Sequence, residues 1–358
     1  MLQREASVPF TLLKTHATEW TPNGLQPTLN VRVDARLVPS PESPDGMRLD
    51  YAHVVVLDNF FGEPERTALL EHLTAPGWDH SQGPPPDKWE RETADGAGAA
   101  KTWGLHDDVL AELADAPIPA MLEIHSRLAR LYPEVDIAHM PAEHMQAPAY
   151  SFAAEYARCM RRHSAAEQAG LEGDITTPRV NCAGDPLPEE AAFCAQFVGN
   201  APVAGDTYTW HVDADPSTLP DSRWTELFGD YVNGEPGRPL LVSLLLYLDD
   251  AWPRDWAAET LFLDSQTDVG LVVRPKRYRA VLMDQDVLHR VSAPSAAAGG
   301  RPRYSLVWKL AFLPKAGDQA CCLARPEWGP PTAIGSAAKV EAVRRSVGRK
   351  RKSQSPHQ

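Results

Sequence analysis

The stretch LLVSLLLYLDD, residues 240–250, is the most apolar run in the sequence and is typical of a β-strand. It belongs to a series of short segments, rich in β-branched and aromatic residues, that begins near residue 178 and is punctuated by turn residues. The segments are RVNCA, AAFCAQFV, DTYTWHVD, LLVSLLLYLDD, ETLFLDS, VGLVVRP, YRAVLMD and RYSLVWKLAF. Many short strands separated by Pro and Gly turns predict a β-sandwich or barrel.

The part of the chain before residue 178 is mostly helical in pattern. Apolar residues recur at helical spacing in 62–73, 107–113, 118–132 and 148–170. Residues 76–104 are typical of a long loop. We therefore predict an α+β, mainly β fold with a helical layer over 62–170 packed outside a β core over 178–313. The predicted boundaries are 1–47 for an irregular lead-in with one strand at Leu29–Leu37, 48–315 for one domain, and 316–358 for an irregular C-terminal region.

The charge of the chain is unevenly distributed. It has 358 residues, with 35 Lys and Arg against 48 Asp and Glu, for a net charge of −13. Residues 340–358 carry six Lys and Arg and one Glu, or +5, which leaves −18 on residues 1–339. This acidic body disfavours a broad surface for nucleic acid or an anionic membrane. The basic cluster at 344–352 indicates either a disordered, solvated tail or a nuclear-import signal or nucleic-acid tether, so nucleic acid stays open as a partner.

The cellular compartment is predicted from the first residues, the longest apolar run and the cysteines. No apolar stretch follows a basic start, so we expect no secretory signal. The run Leu240–Leu248 is far shorter than the ~20 residues of a spanning helix, so we expect no membrane contact. The five cysteines are odd in number and lack CxxC spacing, which favours a reduced intracellular compartment, cytoplasmic or nuclear.

Three residues have the chemistry of a metal site. His211 and Asp213 are separated by one residue, so on an extended segment they project from the same face. His289 ends an apolar segment 76 residues after Asp213, which leaves room for several strands between them. Two histidines and one carboxylate form the facial triad of non-haem Fe(II) oxygenases, which leaves coordination positions open. The alternative is that these are structural polar groups.

The strand that follows His289 adds a second feature. Arg303 and Ser305 share one face of the segment RYSLVW by the two-residue period of a strand. A guanidinium binds a carboxylate in bidentate geometry, and a hydroxyl adds a further hydrogen bond. This pair therefore suits the remote end of a dicarboxylate. Arg301 is a competitor, but it precedes Pro302 and fits the strand less well.

With these motifs in order, the chain resembles a 2-oxoglutarate- and Fe(II)-dependent dioxygenase, most similar to the prolyl 4-hydroxylase-like branch. The resemblance covers about residues 50–315. The stretches that carry it are HVD (211–213), LLLYLDDAW (244–252), AAETLFLD (257–264), DVLHRVSAP (286–294) and RYSLVWKL (303–310).

The resemblance implies a double-stranded β-helix, a jelly-roll barrel with the metal inside. It implies that His211, Asp213 and His289 hold Fe(II), and that Arg303, Ser305 and Tyr247 bind 2-oxoglutarate as cosubstrate. For Tyr247 the alternative is a core tyrosine packed in the barrel. It also implies O₂ as oxidant, ascorbate as a candidate reductant, and hydroxylation of a C–H bond with release of succinate and CO₂.

The sequence departs from the family pattern at two places that bear on the choice of substrate. Ala257 and Ala258 replace a glycine pair, and residues 214–239 form a long insert beside the metal ligands. We predict a protein or peptide side chain as substrate. The alternatives are a small metabolite or nucleic-acid base, and, from another class, a non-catalytic metal-binding β-helix scaffold.

Overall fold

In the computed structural model of the protein, the described residues are 20–39, 47–93, 101–141, 145, 196–265, 267–315 and 320–334. The predicted helix at 148–170, the predicted strand RVNCA and the basic cluster at 344–352 lie outside them. None of the helices within the described ranges is long and apolar enough to cross a membrane.

A ten-stranded sheet forms the larger part of the molecule. Its strands in chain order are β1 Leu29–Pro39, β2 Met47–Leu57, β3 Trp89–Thr93, β4 Lys101–Leu105, β5 Val135–His139, β6 Phe197–Asn200, β7 Leu240–Tyr247, β10 Ala280–Asp284, β12 Ser305–Pro314 and β13 Thr332–Ala333. The spatial order is β13-β1-β2-β10-β7-β12-β6-β4-β3, with β5 also paired to β12. All neighbours are antiparallel except β1 and β13, which are parallel.

A second, three-stranded sheet packs against the large one. It contains β8 Thr260–Asp264, β9 Val269–Val273 and β11 His289–Val291, in the order β11-β8-β9. Phe262 and Val273 from this sheet share one apolar core with Leu245, Tyr247 and residues of β2 and β10. Two facing antiparallel sheets around a common core form a jelly-roll, so the predicted fold class is confirmed.

Helices cover the opposite face of the large sheet. They are α1 Glu63–Leu73, α2 Asp107–Asp115 and α3 Pro119–Leu131, and a fourth, α4 Arg223–Phe228, lies in the insert. Leu69 and Ile124 from α1 and α3 pack onto Leu244 and Trp308 of the sheet. Every residue of β7 is buried because the strand is covered by helices on one side and by the small sheet on the other. This two-sided burial explains why its sequence is apolar throughout rather than alternating.

The N-terminus of α1 shows how the helical layer is fixed. Pro64 lies in its first turn, where the missing N–H costs nothing, and Glu65 accepts a hydrogen bond from the Gly62 N–H at 2.6 Å. Glu65 also pairs with Arg127 of α3 at 3.0 Å, and Arg127 donates to the carbonyl of Phe60 at 2.9 Å. These contacts join the two helices to the end of β2.

The sequence prediction was wrong about 76–104, which contains β3 and β4 as well as a loop. In β3, Glu90, Arg91 and Glu92 are polar, and the strand lies at the edge of the sheet, so it has no apolar alternation to detect. The predicted helical layer also includes β5, which pairs with β12. The sheet and core extend past 48–315 at both ends: β1 lies before this range, and Leu323 in the core lies after it.

The insert at 214–239 follows the extended segment that contains His211 and packs against β7. Trp224 and Tyr231 are buried in a small core with Leu241. Asn233 is fully buried, and its side-chain amide exchanges hydrogen bonds with the backbone of Leu241, at 2.9 Å to the N–H and 3.1 Å to the carbonyl. This amide pairs with β7 as a backbone would, so it fixes the insert against the sheet.

Candidate metal centre

Backbone pairing brings two of the predicted ligands together. His211 and His289 form an antiparallel bridge in which each N–H donates to the other's carbonyl, at 3.0 and 2.9 Å. His289 begins β11 of the small sheet, so the segment containing His211 extends that sheet by one short contact. The two imidazole ring centres are 4.5 Å apart.

Asp213 is held beside them by the next backbone contact. Its N–H donates to the carbonyl of Gln285 at 2.8 Å. Because the segment is extended, Asp213 points to the same side as His211, while Val212 between them is 38% exposed. One ligand atom from each of His211, Asp213 and His289 lies within 4.8 Å of the others, which places the predicted triad together.

Each imidazole ring of the two histidines is oriented by a contact of its Nδ1 atom. His211 Nδ1 lies 3.0 Å from the carbonyl of Thr209, and His289 Nδ1 lies 2.9 Å from the carbonyl of Val287. A carbonyl only accepts, so each Nδ1 carries the proton and each Nε2 keeps its lone pair for a metal. Backbone carbonyls that orient metal-binding histidines in this way are a recurrent feature of such sites.

Both oxygens of the Asp213 carboxylate are engaged. Lys309 Nζ lies 3.1 Å from Oδ1, and the Ser243 hydroxyl donates to Oδ2 at 2.5 Å. Burial alone would raise the pKa of the Asp213 carboxyl. The positive charge of Lys309, the two histidines and the Ser243 hydrogen bond outweigh it, so the pKa lies well below its usual range. The carboxylate is therefore ionised and fixed in orientation, as a metal ligand must be.

The cavity over the triad also contains an arginine. Its volume is about 190 Å³, and Arg303, Lys309, Thr260 and Asn200 line it with the three ligands. Arg303 is fully buried, and none of its three guanidinium nitrogens has a hydrogen-bond partner among the described residues. Buried N–H donors without partners are costly, so a buried guanidinium of this kind calls for an acceptor from outside the chain. A carboxylate with two coplanar oxygens fits that requirement.

Tyr247 and Ser305 lie next to this guanidinium. The Tyr247 ring centre is 5.4 Å from Arg303 Cζ, and its hydroxyl is 2.6 Å from that of Thr260 across the two sheets. Burial raises the pKa of Tyr247, so its hydroxyl stays protonated. Ser305 is fully buried, and its hydroxyl has no partner among the described residues. Tyr247 thus supports Arg303 with its ring, and Ser305 offers an unused hydroxyl on the same face.

A second buried ionisable group, the carboxyl of Asp249, lies near Arg303. Burial raises the pKa of Asp249 to about 7, even though the positive charges of Arg303 and Arg301 oppose this rise. Arg303 is therefore within electrostatic reach of a buried acid with which it makes no hydrogen bond in the described structure. Arg301, the competitor from sequence, is partly exposed and lies 5.9 Å from the ring of Trp256, away from the cavity lining.

Sequence reasoning missed two partners of Asp213, namely Ser243 and Lys309. Lys309 follows Arg303, Ser305 and Val307 at the two-residue period, so its placement on the cavity face could have been found from the strand pattern. Ser243 interrupts the apolar run of β7, which is the only local signal for it. The ring of His289 is oriented by the backbone carbonyl of Val287.

Two tryptophans close to the site differ in their surroundings. Trp308 is fully buried, stacks on Phe197, and donates to His139 Nδ1 at 2.9 Å. Trp210 is 36% exposed, with Arg290 Cζ 4.8 Å from its ring centre.

A jelly-roll whose sheets enclose two histidines and one carboxylate is the arrangement that the sequence motifs imply for a 2-oxoglutarate- and Fe(II)-dependent oxygenase. No protein-family model and no curated protein matches the chain. Solved structures do match it, and prolyl 4-hydroxylases and a 2-oxoglutarate/Fe(II) oxygenase are among them.

Three of these structures show the extent of the similarity. A Pseudomonas putida prolyl-4-hydroxylase has 13% identity and a TM-score of 0.32, over 74% of this chain and 93% of that one. A 2OG-Fe(II) oxygenase family oxidoreductase from Burkholderia pseudomallei has 11% identity and a TM-score of 0.34, over 75% and 88%. HygX from Streptomyces hygroscopicus, with nickel and 2-oxoglutarate bound, has 10% identity and a TM-score of 0.29, over 78% and 90%. At these values, function rests on the site geometry of this chain alone.

Proposed function

We propose that the protein is a dioxygenase that uses Fe(II) and 2-oxoglutarate to hydroxylate a C–H bond, with release of succinate and CO₂. The observation that carries the proposal is the presence, in one cavity, of three metal ligands and a buried guanidinium without a partner. A structural metal site alone has no need of a buried, unpaired arginine. A dicarboxylate that reaches from the metal to Arg303 accounts for both features.

The ligand set fits ferrous iron. His211 and His289 would bind through Nε2, because each Nδ1 is held by a backbone carbonyl. Asp213 would bind through a remaining lone pair of its carboxylate, which Ser243 and Lys309 hold in place. Two imidazoles and one carboxylate suit a borderline metal and leave coordination positions for other ligands. When bound, the metal supplies the reaction with O₂ that protein side chains cannot perform.

Arg303 would bind the distal carboxylate of the cosubstrate. Its three unpaired nitrogens can donate a bidentate pair of hydrogen bonds in a site from which water is excluded, where such bonds are strongest. Ser305 would donate a further bond from the same strand face. The Tyr247 ring would hold the guanidinium in position through its face.

We infer that the substrate is a protein or peptide side chain that reaches the metal from the side of Trp210 and Val212. These two residues flank His211 and are exposed, and Arg290 lies over the indole ring. Exposed apolar and aromatic side chains next to a buried metal site suit a chain laid across the opening. The alternative is a small metabolite, which the same cavity would enclose.

The test of the reaction class is succinate formation. Purified protein with Fe(II), ascorbate and 2-oxoglutarate is expected to release succinate, and Asp213→Ala is expected to abolish both this release and iron binding. Asp87→Ala is the matched control, because this carboxylate is exposed and remote from the triad in sequence. Thermal unfolding of each variant separates loss of the site from loss of the fold. If Asp213→Ala binds iron as well as Asp87→Ala does, the ligand assignment is wrong.

The substrate is tested in cells. Proteins from cells with and without the gene are compared by mass spectrometry for peptides that gain one oxygen atom. A side chain that carries the extra oxygen only in the presence of the gene supports the peptide assignment. An unchanged proteome together with oxygen gain on a small metabolite would replace it with the alternative.

A further inference from the structure

A second cluster of reactive side chains lies outside the metal cavity. His53 on β2 and Asp284 at the end of β10 come together because these two strands pair. Cys322, in the segment after β12, reaches the same point from 269 residues away in sequence. The three side chains form a thiol, imidazole and carboxylate array that the proposed dioxygenase reaction does not use.

The imidazole contacts both the acid and the sulfur. Its Nδ1 is 3.8 Å from Asp284 Oδ2, and that same oxygen accepts the backbone N–H of His53 at 3.0 Å. Cys322 Sγ is 3.7 Å from the imidazole Nε2 and 3.9 Å from its Nδ1. His53 is 8% exposed and Asp284 is 1% exposed, whereas Cys322 is exposed to solvent. The array therefore has a buried base and orienting acid behind an accessible sulfur.

The charges in this array favour a protonated imidazole next to the sulfur of Cys322. Burial lowers the pKa of His53, but the carboxylate of Asp284 and the sulfur of Cys322 raise it by more, to about 10. A protonated histidine stabilises a neighbouring thiolate. Among the other charged groups, Arg32 lies opposite His53 on β1 with its guanidinium over the Tyr51 ring, and Arg325 and Glu134 form an ion pair with each other.

We propose that Cys322 is a reactive thiol that forms a mixed disulfide with small disulfides, activated by His53 and Asp284. The Cys322 thiolate attacks one sulfur of the disulfide, a new S–S bond forms, and the other half leaves as a thiolate. The incoming disulfide is the only oxidant, and the step is reversed by a reducing thiol. His53 and Asp284 act on the sulfur by charge, and only Cys322 forms a bond.

The neighbouring cysteine provides an internal control. Cys321 is buried, its thiol lies 3.6 Å from the carbonyl of Phe312, and burial raises its pKa to about 12. A thiol of this kind is inert to disulfides at neutral pH because the thiolate is the attacking species. Two adjacent residues of the same chain thus differ in the two properties that decide reactivity, exposure and charge.

The experiment is a rate measurement with oxidised glutathione as the probe. Full-length protein is incubated with it at pH 7, quenched at intervals, and mapped by mass spectrometry, so that Cys321 and Cys322 are scored separately. We expect glutathione on Cys322 and not on Cys321, at a rate that His53→Gln lowers about tenfold. Thermal unfolding of His53→Gln confirms that it is folded. Lys88→Gln, a change on a lysine remote from the cluster in sequence, should leave the rate unchanged.

A second measurement needs no variant. The rate of Cys322 modification in the unchanged protein is followed as a function of pH. A thiolate held by an imidazolium gives a rate that is already level near pH 7, whereas an ordinary thiol gives a rate that rises through about pH 8.5. A rise of the ordinary kind, or an equal rate in His53→Gln, would overturn the proposal.

Discussion

The two faces of the strand β12, read from Arg303 just before it, have opposite chemistry. Residues on one face pack against the helices, are fully buried, and are almost entirely apolar; they are Tyr304, Leu306, Trp308 and Leu310. Residues on the other face line or border the metal cavity and are mostly polar or charged; they are Arg303, Ser305, Val307 and Lys309.

The difference lies in how many polar groups each face leaves without a partner. On the helix side, the Trp308 N–H donates to His139 within the protein, and the Tyr304 hydroxyl has no partner among the described residues. On the cavity side, the three nitrogens of Arg303 and the hydroxyl of Ser305 have no partner among the described residues. A buried polar group without a partner costs stability, so it is maintained where something else uses it. One face therefore stabilises the fold, and the other provides donors for a ligand.

The largest effect on stability is expected at Trp308, on the helix-facing side of β12. Replacement by Ala removes a fully buried indole that stacks on Phe197, and it leaves the His139 nitrogen without its donor. We expect the free energy of unfolding to fall by about 3–5 kcal/mol. Urea denaturation measures this loss, and a loss below about 1 kcal/mol would show that the helix-facing side does not carry the stability we assign to it.

Lys309 tests the cavity side through metal affinity. Its ammonium group occupies Asp213 Oδ1 and places a positive charge next to the site of a divalent cation. Lys309→Met removes both effects, so we expect Mn(II) to bind about tenfold more tightly by calorimetry in the absence of 2-oxoglutarate. Lys315→Met is the control, since this lysine is exposed and pairs with Asp136. Weaker Mn(II) binding in Lys309→Met would mean that the lysine instead helps to hold the ligand.

A smaller change in the free energy of unfolding is expected at Ala257, just before β8 of the small sheet. Ala257 has φ 57° and ψ −132°, a backbone conformation that suits glycine and strains a residue with a Cβ. The family pattern has glycine at this position, so Ala257→Gly should raise the free energy of unfolding by about 1 kcal/mol. Ala297→Gly, an exposed position without positive φ, should lower it. If both variants lose stability, the strain at Ala257 is absent.

The smallest effect on stability is expected at Arg303 itself. Arg303→Met removes three buried N–H groups that have no partners and fills similar space with an apolar chain. We expect the free energy of unfolding to stay within about 1 kcal/mol of its original value, in contrast to Trp308→Ala. A loss of about 3 kcal/mol or more in the same denaturation experiment would show that Arg303 has a structural partner.

The sequence was sufficient for those parts of the site that depend on short spacing. His211 and Asp213 share a face because extended backbone alternates, and Arg303 and Ser305 share one for the same reason. The pairing of Lys309 and Ser243 with Asp213 depends on the register between β12 and β7, where Lys309 lies opposite Ser243. No local pattern encodes that register.

Long-range contacts and edge strands are the parts of the structure that the sequence did not predict. Cys322 meets His53 only because the segment after β12 returns to the sheet, which composition does not reveal. The strands β3 and β4 were missed because an edge strand can be polar on both faces, and Glu90 and Glu92 make β3 look like a loop. Tertiary pairing, rather than apolar periodicity, makes these residues into a strand.

Binding of a dicarboxylate to the cavity face of β12 through Arg303 is measured by calorimetric titration of 2-oxoglutarate into the protein loaded with Mn(II), with Arg303→Met and Arg301→Met as paired variants. We predict saturable binding that weakens about 100-fold in Arg303→Met, because a bidentate, charge-assisted contact is lost, and is unchanged in Arg301→Met. Equal affinity in the original protein and in Arg303→Met would contradict the account.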